Sequence, residues 1–211
     1  MPRLRLPSVY PITDTRVSGL THLEQVRRLI DGGATLIQLR EKRASPREFY
    51  SEALGAIEYA HARGVTVIIN DRADIALATG ADGVHLGQDD MPPAAAREIL
   101  GLDAIVGYST HSVEQAVEAA GQFIDYIAIG PVFNTQTKEN PDPNVGFEGL
   151  AAVQSAVPNL PIVAIGGIDR SNLRAVLTSG ADSAAIIGGL FTHTSGISDA
   201  MQELLMAATD S

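Results

Sequence analysis

The stretch Val67-Ile68-Ile69-Asn70-Asp71-Arg72 joins a short apolar run to polar and charged residues, and this order recurs along the chain. A short run rich in β-branched residues is typical of a strand buried on both faces, as in parallel sheets. The other apolar runs that lead into polar or glycine-rich residues are Leu36–Leu39, Val84–Leu86, Ile105–Val106, Tyr126–Ile129 and Ile162–Ile165. Polar groups at every downstream strand end are expected when all strand ends open onto one shared site.

Strand segments alternate with helical segments over the whole length. The strands are predicted at Val9–Thr13, Thr35–Leu39, Thr66–Ile69, Gly83–Leu86, Ala104–Gly107, Tyr126–Ile129, Ile162–Ile165 and Ser183–Ile187. The helices are predicted at Leu20–Asp31, Pro46–Arg63, Ala73–Thr79, Pro92–Leu100, Val113–Gln122, Glu148–Ala156, Asn172–Thr178 and in a final segment that ends near Ala208. A strand followed by a helix, repeated eight times, predicts the α/β class and a TIM (β/α)8 barrel.

Length and composition favour one domain over residues 1–211. The chain has 211 residues, of which 45% are hydrophobic, so it can bury a full core. It contains no cysteine, which excludes a disulfide framework and a thiolate nucleophile. The first residues, from Met1 to Pro7, lack the apolar region of a secretory signal, and no apolar stretch is long enough to cross a bilayer. We therefore expect a cytoplasmic location.

The net charge of −10 argues against a nucleic-acid partner and against an anionic membrane surface. It does not argue against a small phosphorylated substrate, but positive charge must then be placed locally, and a divalent cation would help. A homodimer is compatible with the apolar faces of the helices, a feature that barrel helices have in any case.

Basic residues follow the second predicted strand. Arg40 and Lys42 alternate along the chain and should point the same way. Together with Lys138 they could hold a multiply charged phosphate, the arginine through its planar fork and the lysines as point charges. The alternative is a solvated charged loop.

Carboxylates follow the third and fourth strands. Asp71 and Asp90 at one barrel mouth would suit Mg²⁺, which takes few protein oxygens and fills its coordination sphere with water and phosphate oxygens. The alternative is that each caps the next helix. Asp89 is adjacent to Asp90, and only one of the two is expected to face the centre. His85 lies within an apolar strand, where a hydrogen-bonded core histidine is a better interpretation than a ligand.

Glycines follow the last two strands. Gly166-Gly167 and Gly188-Gly189 match the backbone phosphate site that barrels often build there, although such pairs also form plain tight turns. A basic, metal-assisted site on strands two to four and a backbone site on strands seven and eight would fit a reaction between two phosphorylated molecules.

An ordered set of motifs then resembles the thiamine phosphate synthase family. It runs from about Val9 to Leu190 and comprises Tyr10-Pro11-Ile12-Thr13-Asp14, Gln38-Leu39-Arg40-Glu41-Lys42, Ile69-Asn70-Asp71-Arg72, His85-Leu86-Gly87-Gln88-Asp89-Asp90, Gly130-Pro131-Val132-Phe133, Thr135-Gln136-Thr137-Lys138 and Ala164-Ile165-Gly166-Gly167-Ile168. The resemblance implies a TIM-barrel transferase that couples 4-amino-2-methyl-5-hydroxymethylpyrimidine diphosphate to hydroxyethylthiazole phosphate, plain or 2-carboxylated. Thiamine phosphate and pyrophosphate would be the products.

The resemblance also implies a role for each matching residue. Mg²⁺ would be bound by Asp71 and Asp90. The pyrophosphate would be held by Arg40, Lys42, Asn70 and Lys138, with Ser109 nearby. The pyrimidine would contact Gln38, and the thiazole phosphate would contact Thr135, Thr137, Gly167 and the backbone of Ile187 and Gly188. The implied catalytic residues are Arg40, Lys42, Ser109 and Lys138. The chain departs from the family at Gly188, where the family often has serine.

Three other functions compete with this interpretation. A thiazole tautomerase of the related branch shares the barrel, but such proteins tend to lack the metal aspartate and to carry histidine where Pro131 stands. A non-catalytic regulator that binds thiazole or thiamine phosphate would need none of Arg40, Asp71, Asp90 or Lys138. A phosphate-sugar isomerase on the same barrel is the remaining alternative.

Overall fold

The computed structural model describes residues 5–135, 142–191 and 196–209, and its eight parallel strands form a closed barrel in sequence order. The predicted α/β class and TIM-barrel architecture are confirmed. The strands are β1 (Val9–Asp14), β2 (Leu36–Arg40), β3 (Thr66–Asn70), β4 (Gly83–Leu86), β5 (Ile105–Thr110), β6 (Tyr126–Ile129), β7 (Ile162–Ile165) and β8 (Ser183–Ile186). The helices are α1 (Thr15–Ser18), α2 (His22–Asp31), α3 (Pro46–His61), α4 (Ala73–Thr79), α5 (Pro93–Leu100), α6 (Val113–Ala120), α7 (Gly146–Ala156), α8 (Leu173–Thr178), α9 (Gly188–Phe191) and α10 (Ile197–Thr209).

Two of these helices were not predicted from the sequence. Helices α1 and α9 have only four residues each, which is too short to show a helical period of apolar residues. Strand β5 extends to Thr110, beyond the predicted end at Gly107, because Ser109 and Thr110 pair with β6. Both differences lie at the carboxyl ends of strands, where the candidate site was expected.

Side-chain caps fix the starts of helices α3 and α6. Ser45 and Glu48 form the reciprocal capping box at the start of α3. Ser112 accepts a hydrogen bond from the N–H of Gln115 at the start of α6. The side chain of Gln115 instead accepts from the N–H of His111, at 2.7 Å. The capping box at α6 is therefore only half formed, and Gln115 holds the end of β5.

Aspartates tie neighbouring strands together at the amino-terminal end of the barrel. Asp82, which precedes β4, accepts a hydrogen bond from the N–H of Val67 in β3 at 2.7 Å. Asp125, which precedes β6, accepts from the N–H of Val106 in β5 at the same distance. Asp182, which precedes β8, accepts the same kind of hydrogen bond from a backbone N–H of β7. Three carboxylates thus complete the strand ladder at the end away from the candidate site.

The apolar core has two separate parts. The larger part fills the space between the strands and the helices. The smaller part lies inside the barrel and includes Tyr10, Ile12, Leu36, Ile68, Tyr126, Ala128, Val163 and Ala185. On the side of β6 to β8, the members of this inner part that lie towards the carboxyl ends of the strands have small side chains. The packed interior therefore opens into a cavity at that end of the barrel.

Candidate active site

A cavity of about 800 Å³ opens at the carboxyl ends of the strands, as the sequence pattern predicted. Its lining includes the predicted residues Gln38, Arg40, Lys42, Asn70, Asp71, Asp90, Ser109, Thr135, Gly167, Ile187 and Gly188. The barrel therefore brings all of these residues to one site. Thr137 and Lys138 lie outside the described residues.

Acidic and basic side chains meet on the side of β2 to β4. Lys42 Nζ donates a hydrogen bond to Asp71 Oδ2 at 2.5 Å. The backbone of Asp71 has a φ of 65°, a left-handed conformation that non-glycine residues seldom adopt, and its N–H donates to the carbonyl of His85 at 2.7 Å. Strain of this kind is often found at functional sites, where the surrounding structure holds it in place.

The Asp90 carboxylate lies beside that of Asp71. Asp90 Oδ2 accepts a hydrogen bond from the N–H of Gly87 at 2.7 Å. Burial raises the pKa of Asp90, and the negative charge of Asp71 raises it further, while the Gly87 N–H and the Lys42 ammonium act in the opposite direction. A carboxylate whose ionisation is opposed by burial and by a neighbouring carboxylate is suited to a cation.

The structure does not support the capping alternative for either aspartate. Helix α4 begins after Arg72 and helix α5 after Pro92, and neither helix start has a side-chain cap. Asp71 instead contacts Lys42, and Asp90 contacts its own loop. Asp89 also borders the cavity but is exposed, whereas Asp90 is partly buried and accepts the hydrogen bond from Gly87.

Asn70 presents a buried donor to the cavity. The residue is 7% exposed, and within the described part of the chain its Nδ2 atom has no hydrogen-bond partner. A buried donor without a partner is unfavourable by about 1–3 kcal/mol. Asn70 ends β3 next to Asp71 and lines the cavity, so this donor is available to an acceptor there.

A chain of hydrogen bonds crosses the floor of the cavity. Gln38 Nε2 donates to the hydroxyl of Tyr10 at 3.1 Å, and the hydroxyls of Tyr10 and Tyr126 lie 3.2 Å apart. His85 Nδ1 lies 3.0 Å from the Tyr126 hydroxyl, and His85 Nε2 lies 2.9 Å from Ser109 Oγ. The interpretation of His85 as a hydrogen-bonded core residue fits these contacts. The roles of Tyr10 and Tyr126 were not anticipated.

Burial keeps this chain uncharged. Desolvation lowers the pKa of His85 to about 4 and raises the pKa of both tyrosine hydroxyls. The neutral His85 ring carries one N–H, so it can donate to one of its two partners and accept from the other. The floor therefore offers fixed neutral donors and acceptors, in contrast to the charged side of the cavity.

The opposite side of the cavity is formed by backbone. Gly167 has a φ of 66°, and a Cβ there would lie 2.6 Å from the carbonyl oxygen of Asn134. The N–H of Phe133 donates to the carbonyl of Gly166 at 3.0 Å, which ties the loop after β6 to the loop after β7. Helix α9 begins at Gly188, directly beyond β8. Only glycine allows the two loops to approach so closely at Gly167.

His111 was not singled out as a site residue, although it lines the cavity. Its Nδ1 lies 2.6 Å from the carbonyl oxygen of Gly130, and its Nε2 lies 3.5 Å from Asp142 Oδ2. The peptide bond between Gly130 and Pro131 is cis. His111 thus links the end of β5 to the segment after β6, a contact between distant parts of the chain that no local pattern indicates.

The family is shown by comparison with known proteins. A family model described as thiamine monophosphate synthase matches residues 9–190. The chain belongs to this family.

Relatives in the thiamine monophosphate synthase family cover nearly the whole chain. The thiamine-phosphate synthase of Koribacter versatilis is 46% identical over 194 residues, which cover 89% of this chain and 90% of that protein. The enzyme of the same name from Syntrophomonas wolfei is 45% identical and covers 87% of this chain and 88% of its own length. A solved structure of thiamine phosphate pyrophosphorylase from Pyrococcus furiosus has a TM-score of 0.86 at 37% identity and covers 95% of both chains.

More distant structures share the fold alone. The N-(5'-phosphoribosyl)anthranilate isomerase of Pyrococcus furiosus has a TM-score of 0.68 at 13% identity, and covers 98% of this chain and 100% of its own. Among the described residues, no helix is long and apolar enough to cross a membrane. Nor do three or more His, Cys, Asp or Glu side chains converge as a metal-ligand group in those residues.

Proposed function

We propose that this chain condenses 4-amino-2-methyl-5-hydroxymethylpyrimidine diphosphate with hydroxyethylthiazole phosphate to give thiamine phosphate and pyrophosphate. The observation that carries the proposal is the acidic pair Asp71 and Asp90 beside the unpartnered donor of Asn70. An enzyme that only rearranged or bound a thiazole phosphate would have no use for this arrangement. Residues 1–211 would act as one catalytic domain.

The pyrophosphate group would bind on the side of β2 to β4. Asp71 and Asp90 would hold Mg²⁺, which when bound would neutralise the leaving pyrophosphate. Lys42 and Arg40 would add positive charge, and Asn70 Nδ2 would donate to a phosphate oxygen. Lys138 would complete the set from the segment after β6. The adjacent carboxylates and the unpartnered amide fit these roles, since one group needs a cation and the other an acceptor.

The chemistry needs no protein nucleophile. The bond between the pyrimidine methylene carbon and the diphosphate oxygen would break, and its electron pair would leave with pyrophosphate. The aminopyrimidine ring would stabilise the resulting cation, and the lone pair of the thiazole nitrogen would form the new C–N bond. The protein would stabilise the leaving group and hold the two reactants in line.

The floor and the far side of the cavity would orient the two rings. Gln38, held by Tyr10, would contact the pyrimidine, and Ser109, held by His85, would lie near the pyrophosphate. The thiazole phosphate would bind at Gly167, at the backbone of Ile187 and Gly188, and at Thr135 and Thr137. Because the floor is neutral, it would not compete with the leaving group for the cationic side chains.

The decisive experiment measures pyrophosphate release from the pyrimidine diphosphate, with and without the thiazole phosphate, and with Mg²⁺ or EDTA. Release that requires both the thiazole phosphate and Mg²⁺, with thiamine phosphate formed, would support the proposal. Binding of the thiazole phosphate with no pyrophosphate release would reject it in favour of a tautomerase or a binding protein. Release that is unchanged by EDTA would reject the assigned role of Asp71 and Asp90.

A further inference from the structure

Arg40 is held at the edge of the cavity by a buried carboxylate. Its Nη1 donates a hydrogen bond to Asp14 Oδ2, and the two residues are register partners in the pairing of β1 with β2. The Asp14 side chain is 4% exposed, and the Arg40 side chain is 19% exposed. A guanidinium with a carboxylate on one side keeps its other N–H groups for a second anion.

Asp14 is itself fixed at every polar atom. Its Oδ1 accepts from the N–H of Val17 at 3.0 Å, which caps helix α1. Its own N–H donates to Gln25 Oε1 at 3.0 Å, and its carbonyl accepts from Ser18 Oγ at 2.8 Å. Gln25 is fully buried. The carboxylate therefore has one position, and the guanidinium bound to it is restricted in turn.

The backbone of Arg40 is also held from β1. Thr13 Oγ1 accepts from the N–H of Arg40 at 3.4 Å and donates to the carbonyl of Gln38 at 3.3 Å. Its oxygen lies 2.8 Å from Nδ1 of the buried His22. Thr13 therefore positions the backbone of Arg40 at the end of β2, and Asp14 positions the guanidinium group of Arg40.

We infer that Asp14 is a positioning residue for the transferase reaction and aims the Arg40 guanidinium at the pyrophosphate. In the described part of the chain, Asp14 is not among the residues that line the cavity, so it acts on the substrate through Arg40. The inference rests on the proposed function and deepens it. It adds one residue, Asp14 at the end of β1, to the pyrophosphate side of the site.

Asp14→Asn tests this role. The asparagine oxygen can still cap α1, but the ionic contact with Arg40 is lost. We expect kcat/KM for the pyrimidine diphosphate to fall roughly 10- to 100-fold, because misplaced charge loses transition-state stabilisation. KM for the thiazole phosphate should not change. Binding of inorganic pyrophosphate with Mg²⁺, measured by calorimetry, should weaken at least 10-fold by the same reasoning.

A double-mutant cycle separates positioning from a structural effect. If Asp14 acts through Arg40, Asp14→Asn should have little further effect on kcat/KM once Arg40→Ala is present. A further 10-fold loss in the double variant would overturn the inference. Asp125→Asn is the matched control, because Asp125 also pairs with an arginine, Arg97, but lies at the amino-terminal end of the barrel. It should lower the melting temperature and leave pyrophosphate release intact.

A second variant tests the inference even if Asp14→Asn does not fold. Asp14→Glu keeps the charge but moves the carboxylate by one methylene group, so we expect a smaller fall in kcat/KM and in pyrophosphate affinity. Wild-type kinetics in either folded variant would reject the inference while thiamine phosphate synthesis by the wild-type chain still supported the proposed function. A wild-type chain that released no pyrophosphate would reject the proposed function, and the inference with it.

Discussion

The ring of Tyr126 occupies the space that a side chain at position 107 would need. A Cβ atom built on Gly107 would lie 2.1 Å from Cζ of Tyr126 and 2.3 Å from its hydroxyl oxygen. Gly107 lies on β5 and Tyr126 starts β6, and the two residues are register partners. The absence of a side chain at Gly107 lets the tyrosine cross the barrel floor and reach both Tyr10 and His85.

Gly107→Ala should therefore displace Tyr126 and break the chain of hydrogen bonds below the cavity. Overpacking of this kind destabilises a core by about 1–3 kcal/mol, and we expect kcat to fall with it. Thermal unfolding and pyrophosphate release would measure the two effects. The control is Gly55→Ala in helix α3, where a Cβ meets no atom within 4 Å and alanine favours the helix. Equal behaviour of the two variants would contradict the role assigned to Gly107.

Asp90→Asn should reduce turnover by about 100-fold or more, since removal of one charge-stabilising group in a transition state has an effect of this size. The loss should be largest at limiting Mg²⁺ if Asp90 binds the metal. Initial rates of pyrophosphate release over a Mg²⁺ titration would measure it. Asp89→Asn is the matched control, because Asp89 borders the same cavity but is exposed. If only Asp89→Asn showed a large, Mg²⁺-dependent loss of turnover, the metal ligand would be Asp89 and not Asp90.

The sequence was sufficient to predict the barrel and a set of residues that the fold brings to its mouth. Apolar β-branched runs mark the strands, and the closure of parallel strands brings whatever follows them to one end. Arg40, Asp71 and Gly167 could be placed in one site for this reason alone. Prediction also gave the strand boundaries to within one residue, except at the carboxyl end of β5.

Contacts between distant strands could not be predicted in the same way. Tyr10 and Tyr126 are 116 positions apart, and each occupies an apolar run in which a tyrosine normally packs as a core residue. Their contact depends on the barrel radius and on the empty position at Gly107. Asp14 likewise has an ordinary place at a strand end, and its partner Arg40 became apparent only from the register of β1 with β2.

The buried His85 should make the protein less stable as the pH falls. Its pKa is about 4 in the folded chain, below its ordinary value of 6.5, so the unfolded chain binds more protons between these values. Stability is then lost as the pH decreases from 6.5 towards 4, by on the order of 3 kcal/mol for this group. Burial of His22 lowers its pKa as well and acts in the same direction. Urea unfolding at several pH values between 7 and 4 would measure the effect.

His85→Gln isolates this contribution, because glutamine is polar but does not titrate. The pH dependence of its unfolding free energy should be shallower than that of the wild-type chain over the same range. His61→Gln is the control, since His61 is about 39% exposed and pairs with Asp82 at the other end of the barrel. If His85→Gln retained the full wild-type slope, the histidine would not be held neutral in the folded state.

Gly167→Ala should damage the thiazole phosphate side of the site. The substitution meets both a left-handed backbone, which costs about 1–2 kcal/mol for a residue with a Cβ, and the carbonyl of Asn134 at 2.6 Å. KM for the thiazole phosphate should rise while KM for the diphosphate changes little. Gly80→Ala has nearly the same φ, 68°, but no atom within 4 Å of its Cβ. Gly80→Ala should lower the stability without changing either KM. A rise in KM for the thiazole phosphate alone in Gly80→Ala would contradict the argument.

Gly188→Ser should improve binding of the thiazole phosphate. A Cβ at Gly188 would meet no atom within 4 Å, and its φ lies outside the left-handed range, so a side chain can be added at this position. The serine hydroxyl would add one donor beside the proposed phosphate site, and a net gain of about 1 kcal/mol per hydrogen bond corresponds to roughly a fivefold lower KM. Gly188→Ala separates the hydroxyl from the added bulk. If serine and alanine gave the same KM for the thiazole phosphate, the phosphate would not lie at the start of α9.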